Sequence, residues 1–487
     1  MTEDFAKALN EVGEIGYAEQ VLGSVVYVRG LPTATPREVV IFESGQFGEV
    51  LFLTEDFAEV LLFSTEPVKA GTKVARTNQM VSVLVGEEQL GFIIDPLGVP
   101  LSFSTGYKKA TLRRSVDEKT PGLENRLPIT RPLETGVTVV DLLVPLAMGQ
   151  RELIIGDRKT GKSAFLQQTA LSVASKGHVC IYAAVAKKRN TIKRLEDFFV
   201  ETGVMKNIII VASTPQDPTG LIFLTPFSAM TLAEYYRDQG RDVVIILDDL
   251  TAHAKFYREI SLLARRFPGR DSYPVDIFHL HARLLERAGS FALSGGKAAS
   301  ITSLPTAETN MGDLSGYIQT NLMSMTDGHI FFDADIFSRG RRPAVNTFLS
   351  VTRVGRQTQT PLLRQISREL TSFLANFEKM QSYTHFGAEL SATVKQSLQK
   401  GEKMTTLLDQ TFPQTIPLSL QIFLFGLLWQ SPRVDQNTAQ TREYINKIIS
   451  AYNQNADFKG KVEKLVSLSD SLETLLEKIR TQATQLL

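Results

Sequence analysis

The sequence predicts a multidomain protein, with a small β-rich domain first, an α/β domain with a parallel sheet next, and a helical bundle last. Three observations support this prediction: short apolar runs recur about every ten residues between 16 and 85, strands alternate with helices after about residue 86, and helical periodicity follows from about residue 362. A chain of 487 residues has room for about two to four domains. The predicted domains are residues 1–82, 83–360 and 361–487.

The first predicted domain consists of short apolar or β-branched runs separated by Gly, Pro, Ser and Asp. This spacing is typical of a small antiparallel barrel or sandwich. The segment shows no ligand signature, so we expect it to serve interaction or assembly. The runs are Val25–Val28, Glu38–Phe42, Gly48–Leu53 and Ala58–Phe63.

A phosphate-binding motif lies in the second predicted domain. The apolar run Glu152–Ile155 reads as a strand, and a helix is predicted from Ala164 to a stop at Gly177. Between them the chain fits G-x-x-x-x-G-K-[ST], whose glycines let backbone N–H groups approach phosphate oxygens. Lys162 would reach the terminal phosphates and the Ser163 hydroxyl would bind Mg²⁺. The flanking strand and helix argue against a chance Gly-rich turn. The motif reads Gly156-Asp157-Arg158-Lys159-Thr160-Gly161-Lys162-Ser163.

Strands and helices alternate after this motif, which indicates a parallel sheet covered by helices. The last of these strands ends in Asp248-Asp249. A buried strand that ends in Asp is the usual second half of a nucleotide site, where the carboxylate holds Mg²⁺ through its water shell. We expect Asp248 in this role, and Asp249 is the weaker candidate. The predicted strands are 179–185, 207–212 and 243–247, and the predicted helices are 191–202 and 227–239.

Two basic positions leave alternatives open. Lys187-Lys188-Arg189 stands where a hydrolase of this class would place a carboxylate to polarise the attacking water. The cluster could contact phosphate or a neighbouring chain, or it could be a solvated turn. Arg353 follows an apolar strand far from the motif, so it is either an arginine finger that serves another subunit or a surface residue in a salt bridge.

Composition excludes several other classes. A net charge of +1 gives no argument for a nucleic-acid partner, and the single cysteine, Cys180, cannot form an internal disulfide. His279 and His281 lack metal-ligand spacing with Cys or carboxylate partners. The acidic N-terminus shows no secretory signal, and the apolar run 422–429 is much shorter than a membrane span. We therefore expect any link to a membrane to run through a partner.

The motifs together resemble the alpha subunits of the rotary F-type ATP synthase family, over nearly the whole chain from about Ala18. Several independent blocks in the same order make the resemblance specific. These blocks are Gly149–Arg158 before Thr160-Gly161-Lys162, Tyr273-Pro274 followed by Leu280–Ala288, Thr326-Asp327-Gly328, and Arg342–Asn346 running to Ser350 and Arg353.

The resemblance implies a β-barrel crown, a RecA-like nucleotide-binding domain and a helical C-terminal domain. It implies that residues 156–163 bind ATP or ADP with Mg²⁺, and that Arg342, Pro343 and Gln410 lie near the adenine. Ser350 would support activity, and Arg353 would be the arginine finger reaching into a beta-type neighbour. The implied partners are beta-type subunits in an alternating alpha3-beta3 ring, a gamma-type shaft and a peripheral stalk subunit. The implied location is peripheral, at the cytoplasmic face of the cell membrane or of an equivalent energy-coupling membrane.

Departures from the family pattern point to a divergent alpha subunit or to an alpha-like subunit of an unusual F-like rotary ATPase. Lys187 stands where alpha subunits usually have Gln and catalytic beta subunits have Glu, so we expect nucleotide binding without efficient turnover. The segment preceding the predicted barrel is short for the family. The other departures are Lys159, Ser163, Ala186, Thr352 and Phe412.

Two rival functions remain in view. A self-sufficient hexameric ATPase, such as an export ATPase, would need a carboxylate near position 187. An RNA translocase of the Rho type would need a basic, aromatic barrel, whereas residues 16–85 are acidic and aliphatic.

Overall fold

The computed structural model describes residues 2–101, 106–107, 109–384, 392–430 and 437–486. The strands, in chain order, are β1 Ile15–Leu22, β2 Val25–Arg29, β3 Glu38–Phe42, β4 Phe47–Leu53, β5 Ala58–Leu62, β6 Lys73–Met80, β7 Ser82–Val85, β8 Ile93–Ile94, β9 Leu112–Ser115, β10 Pro132–Leu133, β11 Leu146–Ala147, β12 Glu152–Gly156, β13 Val179–Ala184, β14 Ile208–Ala212, β15 Val243–Asp248, β16 Gly289–Ala292, β17 Ala298–Glu308, β18 Gly328–Phe332 and β19 Val351–Thr352.

The helices, in chain order, are α1 Glu3–Val12, α2 Thr138–Leu143, α3 Lys162–Ser175, α4 Arg189–Glu201, α5 Thr219–Asp238, α6 Leu250–Leu263, α7 Ile277–Glu286, α8 Tyr317–Met325, α9 Ala334–Ser338, α10 Gly355–Thr358, α11 Pro361–Thr384, α12 Ala392–Leu408, α13 Leu418–Gln430, α14 Thr438–Gln454, α15 Ala456–Ser467 and α16 Leu472–Leu486.

The chain forms two compact units that cut across the order of the sequence. The first comprises Met1–Pro128, Ala174–Thr309 and Asp313–Thr326. The second comprises Ile129–Val173, Asn310–Gly312 and Asp327–Leu487.

A closed six-stranded barrel forms the N-terminal part of the first unit, as the sequence predicts. Its strands follow the order β1-β2-β5-β4-β3-β6 and pair antiparallel throughout. Alternate residues on these strands point into a core of β-branched side chains, which fill the narrow interior closely. Helix α1 packs Phe5 and Ala8 against Ala75 on the outside of the barrel. The core includes Val26, Val28, Val40, Val50, Val60 and Val74.

The rest of the first unit contains a parallel sheet in the order β17-β15-β13-β14-β8, with β16 added antiparallel to β17. Every residue of β13, β14 and β15 is buried, because helices cover both faces of a sheet of this kind. The register pairs Ala184 of β13 with Asp248 of β15. The two strands therefore end side by side, which is the edge where ligands bind in such sheets.

The second unit contains the strand that leads into the phosphate-binding motif. Strand β12 pairs parallel with β18, and β19 pairs antiparallel with β18. At the end of β12, Gly156 has a φ of +156°, and a Cβ there would lie 2.3 Å from the carbonyl oxygen of Phe332. Only glycine fits this backbone approach, so the first glycine of the motif is required by packing as well as by the turn.

Helices α11–α16 make up the C-terminal part of the second unit, which confirms the predicted helical domain. The apolar helix α13 is buried over most of its length and packs against α12, α15 and α16. None of the helices in the described part of the chain is both long and apolar enough to span a membrane.

One predicted boundary is wrong. The sequence places the start of a helix at Phe227, directly after Pro226, whereas α5 begins at Thr219 and continues through the proline. The helix is buried along most of this stretch, so tertiary packing outweighs the loss of one backbone hydrogen bond. The hydroxyl of Thr225 also donates to the carbonyl of Leu221 inside the same turn (2.8 Å).

Candidate nucleotide site

The phosphate-binding motif forms the loop between β12 and α3 in the second unit. The Lys162 ammonium donates to the carbonyl oxygens of Gly156 (2.6 Å) and Asp157 (2.7 Å). The hydroxyl of Thr160 donates to the same carbonyl of Asp157 (2.8 Å). These bonds close the loop around the lysine and shape it before any phosphate arrives.

The first turn of α3 supplies the groups that suit an anion and its cation. Backbone N–H groups at a helix N-terminus have no partner within the helix, and the helix dipole favours negative charge there. Ser163 lies in this turn and is exposed. A serine hydroxyl is a hard oxygen ligand, so its chemistry fits Mg²⁺.

A cavity of about 860 Å³ lies in the second unit beside the loops that follow β18. Its volume falls in the range of about 300–1,000 Å³ usual for small-molecule sites. Two residues expected near the adenine, Arg342 and Pro343, line it together with Phe348 and Asp409. The cavity joins apolar surface to charged groups, which is the lining that a nucleoside requires.

Arg342 is held in place from several sides. Its guanidinium lies 3.4 Å from the centroid of the Phe337 ring and donates to the carbonyl of the same residue (2.7 Å). Its backbone N–H donates to the Asp409 carboxylate (2.8 Å). The cation–π contact and the hydrogen bonds hold Arg342 in place. Arg342 and the next residue, Pro343, form one wall of the cavity.

Gln410 is placed differently from its expected role at the adenine. Its amide oxygen accepts from the N–H and the hydroxyl of Thr138, both at 3.0 Å. Its amide nitrogen donates to the carbonyls of Gly136 (2.8 Å) and Gln414 (2.5 Å). A glutamine amide offers two donors and two acceptor positions, so all four are used. The geometry makes Gln410 a brace for the loop before α2, and a contact with a base would break one of these bonds.

Ser350 and Arg353 lie at the two ends of β19. The Ser350 hydroxyl accepts from the backbone N–H of Phe331 (2.9 Å) and donates to the carbonyl of Asn346 (2.6 Å). Thr352 keeps a similar bond, from its hydroxyl to the carbonyl of Pro145 (2.6 Å). Arg353 follows directly and is exposed. Within the described residues no hydrogen bond or ion pair holds its guanidinium, so the β19 contacts position the backbone and leave the side chain reaching outward.

Asp248 belongs to the first unit, at the end of β15, and protein groups surround its carboxylate. One oxygen accepts from the Lys187 ammonium (2.7 Å) and the other from the Tyr182 hydroxyl (2.8 Å). Lys187 also lies 3.5 Å from the carboxylate of Asp249. Burial alone would lower the pKa of Lys187, but attraction by the two carboxylates outweighs it and raises that pKa. The lysine is therefore a fixed positive charge.

The basic cluster predicted at 187–189 divides in the structure. Lys187 enters the carboxylate pair, whereas Lys188 and Arg189 are exposed at the start of α4. Sequence reasoning missed Tyr182 and Asp409. Tyr182 could have been found from its position two residues before the end of β13. Asp409 directly precedes Gln410 in the sequence. Among the described residues no group of three or more His, Cys, Asp and Glu side chains is arranged to hold a metal ion.

Comparison with known proteins adds an independent finding. A family model described as the nucleotide-binding domain of the ATP synthase alpha/beta family matches residues 136–352. A second, for the C-terminal domain of the ATP synthase alpha/beta chain, matches residues 359–483.

The chain belongs to the ATP synthase alpha/beta family.

Its relatives in this family are named as alpha subunits. The ATP synthase subunit alpha of Dictyoglomus turgidum is 41% identical over 85% of this chain and 82% of its own length. The ATP synthase subunit alpha of Rickettsia bellii is 36% identical over 97% of this chain and 93% of its own length. The subunit alpha of Aquifex aeolicus is 37% identical over 96% of this chain and 92% of its own length. Within the family the chain is thus an alpha-type, nucleotide-binding subunit of a rotary ATP synthase or ATPase. The predicted fold class is confirmed, and the two rival functions are not favoured.

Proposed function

We propose that this chain binds ATP or ADP without turning it over efficiently and completes the catalytic site of a neighbouring beta-type subunit. The observation that carries the proposal is the ion pair of Lys187 with Asp248. A group that activates the attacking water must accept a proton or a hydrogen bond from it, and a protonated lysine ammonium has no lone pair that could accept either. Residues 156–163 hold phosphates in this proposal, and Lys187 stands at the position where the catalytic subunits of the family carry Glu.

The proposed nucleotide contacts are supported by the geometry within the second unit. Lys162 and the backbone of the loop bind the phosphates, and the Ser163 hydroxyl binds Mg²⁺. The role of Asp248, a contact with Mg²⁺ through its water shell, is proposed from the sequence pattern alone. When bound, Mg²⁺ neutralises charge on the phosphate oxygens. The cavity lined by Arg342 and Pro343 takes the adenine, and Gln410 braces the loop behind it.

Arg353 acts on another subunit in this proposal. Its exposed side chain follows a strand fixed by Ser350 and Thr352, so a short, well-anchored segment presents it. A guanidinium in this role stabilises the charge spread over a transferring phosphoryl group.

The proposed assembly is an alternating alpha3-beta3 ring around a gamma-type shaft, with a peripheral stalk, at the cytoplasmic face of an energy-coupling membrane. The family membership and the named relatives support this assembly. Membrane contact is through partners, and no nucleic acid takes part.

Steady-state ATP hydrolysis tests the proposal. We expect the purified chain alone to be nearly inactive and to bind ATP, and a ring reconstituted with its beta-type partner to be active. Robust turnover by the chain alone would contradict the division of labour and favour a self-sufficient hexameric ATPase.

A further inference from the structure

We propose that Arg341 adapts the cavity beside Arg342 and Pro343 to a 6-oxopurine, so that this chain binds guanine nucleotides at least as tightly as adenine nucleotides. The inference rests on the proposed function, because it concerns the cavity assigned there to the base. It goes further by naming the residue that contacts the edge of the base and the base that this residue favours. All residues in the argument belong to the second unit.

The first argument is the hydrogen-bonding capacity of Arg341, which lines the cavity and is partly buried. A guanidinium carries five N–H donors in a planar fork. Within the part of the chain that the structure describes, no hydrogen bond or ion pair engages the fork of Arg341. The neighbouring Arg342, in contrast, donates to the carbonyls of Phe337 and Arg341, both at 2.7 Å. Arg341 therefore keeps its donors for a ligand.

The second argument is that the backbone of Arg341 is fixed on both sides. Its N–H donates to the carbonyl of Ile336 (3.4 Å), and its carbonyl accepts from the Arg342 guanidinium (2.7 Å). Gly340, directly before it, has a φ of +85°, the left-handed conformation that favours glycine in a turn. A side chain that starts from an anchored turn loses less freedom when it binds a ligand, so its contact contributes more to affinity.

The third argument is the charge around Arg341. Burial lowers the pKa of Arg341, and attraction by Glu378 and Asp409 offsets only part of this effect. Asp409 already accepts from the backbone N–H of Arg342 (2.8 Å) and from the Arg442 guanidinium. Glu378 also lines the cavity and is exposed, and its carboxylate makes no hydrogen bond or ion pair with the described residues. The cavity thus offers a partly desolvated donor fork together with an open carboxylate.

The edges of the two purines decide which base this pair of groups suits. Guanine presents the acceptors O6 and N7, to which a guanidinium donates two hydrogen bonds, and the donors N1–H and N2–H₂, which a carboxylate accepts. Adenine has its N6 amino donor where guanine has O6, so Arg341 would face a donor there and keep only the bond to N7. The ring of Phe348, 44% exposed at the cavity, offers a stacking face to either base. The preference for guanine therefore comes from the hydrogen bonds and not from stacking.

Isothermal titration calorimetry of the full chain with Mg-ATP and with Mg-GTP tests the inference. We expect the wild type to bind GTP at least as tightly as ATP. Arg341→Gln should weaken GTP binding by roughly 5- to 150-fold, the range that one bidentate contact contributes to discrimination between bases. The same variant should keep its affinity for ATP, because a glutamine amide matches N6 and N7 of adenine.

The matched control is Arg368→Gln, the same change at an arginine of α11 whose side chain is 78% exposed. Arg368 is not among the residues that line the cavity, so this variant should keep both wild-type affinities. Glu378→Gln gives a second test if Arg341→Gln fails to fold. It removes the carboxylate that accepts from N1–H and N2–H₂, so it should weaken GTP binding more than ATP binding.

The outcomes separate this inference from the function on which it rests. If the wild type binds ATP more than about threefold more tightly than GTP, the inference is overturned and nucleotide binding stands. Equal losses of ATP and GTP affinity in Arg341→Gln would also overturn the inference, because Arg341 would then contact a part that both nucleotides share. If the wild-type chain binds neither nucleotide, the proposed function and the inference both fail.

Discussion

Lys162 is the residue that contributes most to the proposed nucleotide binding. Its ammonium already lies within the loop, on the carbonyls of Gly156 and Asp157, so phosphate oxygens replace those carbonyls at little conformational cost. We expect Lys162→Ala to weaken Mg-ATP binding by about 10- to 100-fold, because a charge-assisted contact contributes roughly 1.5–3 kcal/mol. Calorimetry with ATP measures this change.

A control for this variant lies at the other end of the same helix. Lys176 is exposed directly after α3, and Lys176→Ala should bind ATP like the wild type. If Lys162→Ala bound Mg-ATP as tightly as the wild type, Lys162 would not be a phosphate ligand of the proposed site.

Single residues also show where sequence reasoning stops. The phosphate loop is predictable because its eight positions are contiguous and their roles are local. Gln410 is not predictable in the same way, because the Thr138 groups that saturate its amide oxygen stand 272 positions earlier in the chain. The Lys187 pair with Asp248 spans 61 positions, so the sequence could show the unusual lysine but not its partner.

At the scale of elements, a buried histidine pair joins α6 to α7. His253 and His281 approach to 3.1 Å, and the other ring nitrogen of His253 contacts the carbonyl of Phe223 on α5 (3.0 Å). Burial lowers the pKa of His253 to about 4 and lowers that of His281 well below its ordinary value. The pair contributes to the stability of the first unit only while both rings are neutral.

The sign of the pH effect follows from these pKa values. A pKa that is lowered on folding means that the unfolded chain takes up the proton first, so stability is full above about pH 6.5 and falls as the pH drops towards 4. At pH 5 the free energy of unfolding should be lower by about 2 kcal/mol for His253 alone. Denaturant unfolding at several pH values between about 7.5 and about 5 measures how the free energy of unfolding falls with pH. This fall should be less steep for His253→Gln than for the wild type. His279 lies on the exposed side of α7, so His279→Gln should keep the pH dependence of the wild type. If His253→Gln also kept that pH dependence, protonation of the buried histidine pair would not be its cause.

A second prediction concerns the junction of β19 with α10. A Cβ on Gly355 would lie 1.7 Å from the carbonyl oxygen of Pro145 and 2.7 Å from the Thr352 hydroxyl. Gly355→Ala must therefore displace the segment that presents Arg353, at a cost in stability of at least about 1–3 kcal/mol.

The expected result of Gly355→Ala is a lower melting temperature and lower activity of the reconstituted ring, with ATP affinity of the chain kept. Gly460→Ala is the matched control, because a Cβ at that helical position has nothing within 4 Å. Wild-type activity of a ring that carries Gly355→Ala would argue against a fixed position for Arg353.

Element types were largely predictable, because period-2 and period-3.6 patterns are local properties of the sequence. Strand β15, predicted as 243–247, is Val243–Asp248, and β14, predicted as 207–212, is Ile208–Ala212. The wrong boundary at α5 has a specific cause: Pro226 predicts a helix start at Phe227, whereas burial of most of the helix surface carries α5 through the proline. The division into two compact units was also beyond the sequence, since it joins stretches that are distant along the chain.

At the scale of the whole molecule, the proposed role of Arg353 can be seen only in an assembly. In a ring reconstituted with beta-type subunits, Arg353→Ala should lower hydrolysis by about 10³–10⁵, the range measured for arginine fingers. Arg356→Ala removes another exposed arginine three positions on and should leave most of the activity. ATP binding by the isolated Arg353→Ala chain should be unchanged, and a fully active Arg353→Ala ring would overturn the role.

The closed barrel affects how the free subunit can aggregate before it joins a complex. Each of its six strands is paired on both sides, so no row of backbone N–H and C=O groups is open to a further strand. A subunit waiting for its partners therefore cannot recruit a second copy through this domain by adding strand to strand, which is a common first step in aggregation. Contacts made by the barrel must therefore use side chains. Side-chain contacts select a particular partner, whereas the backbone groups of an open sheet edge can pair with almost any strand.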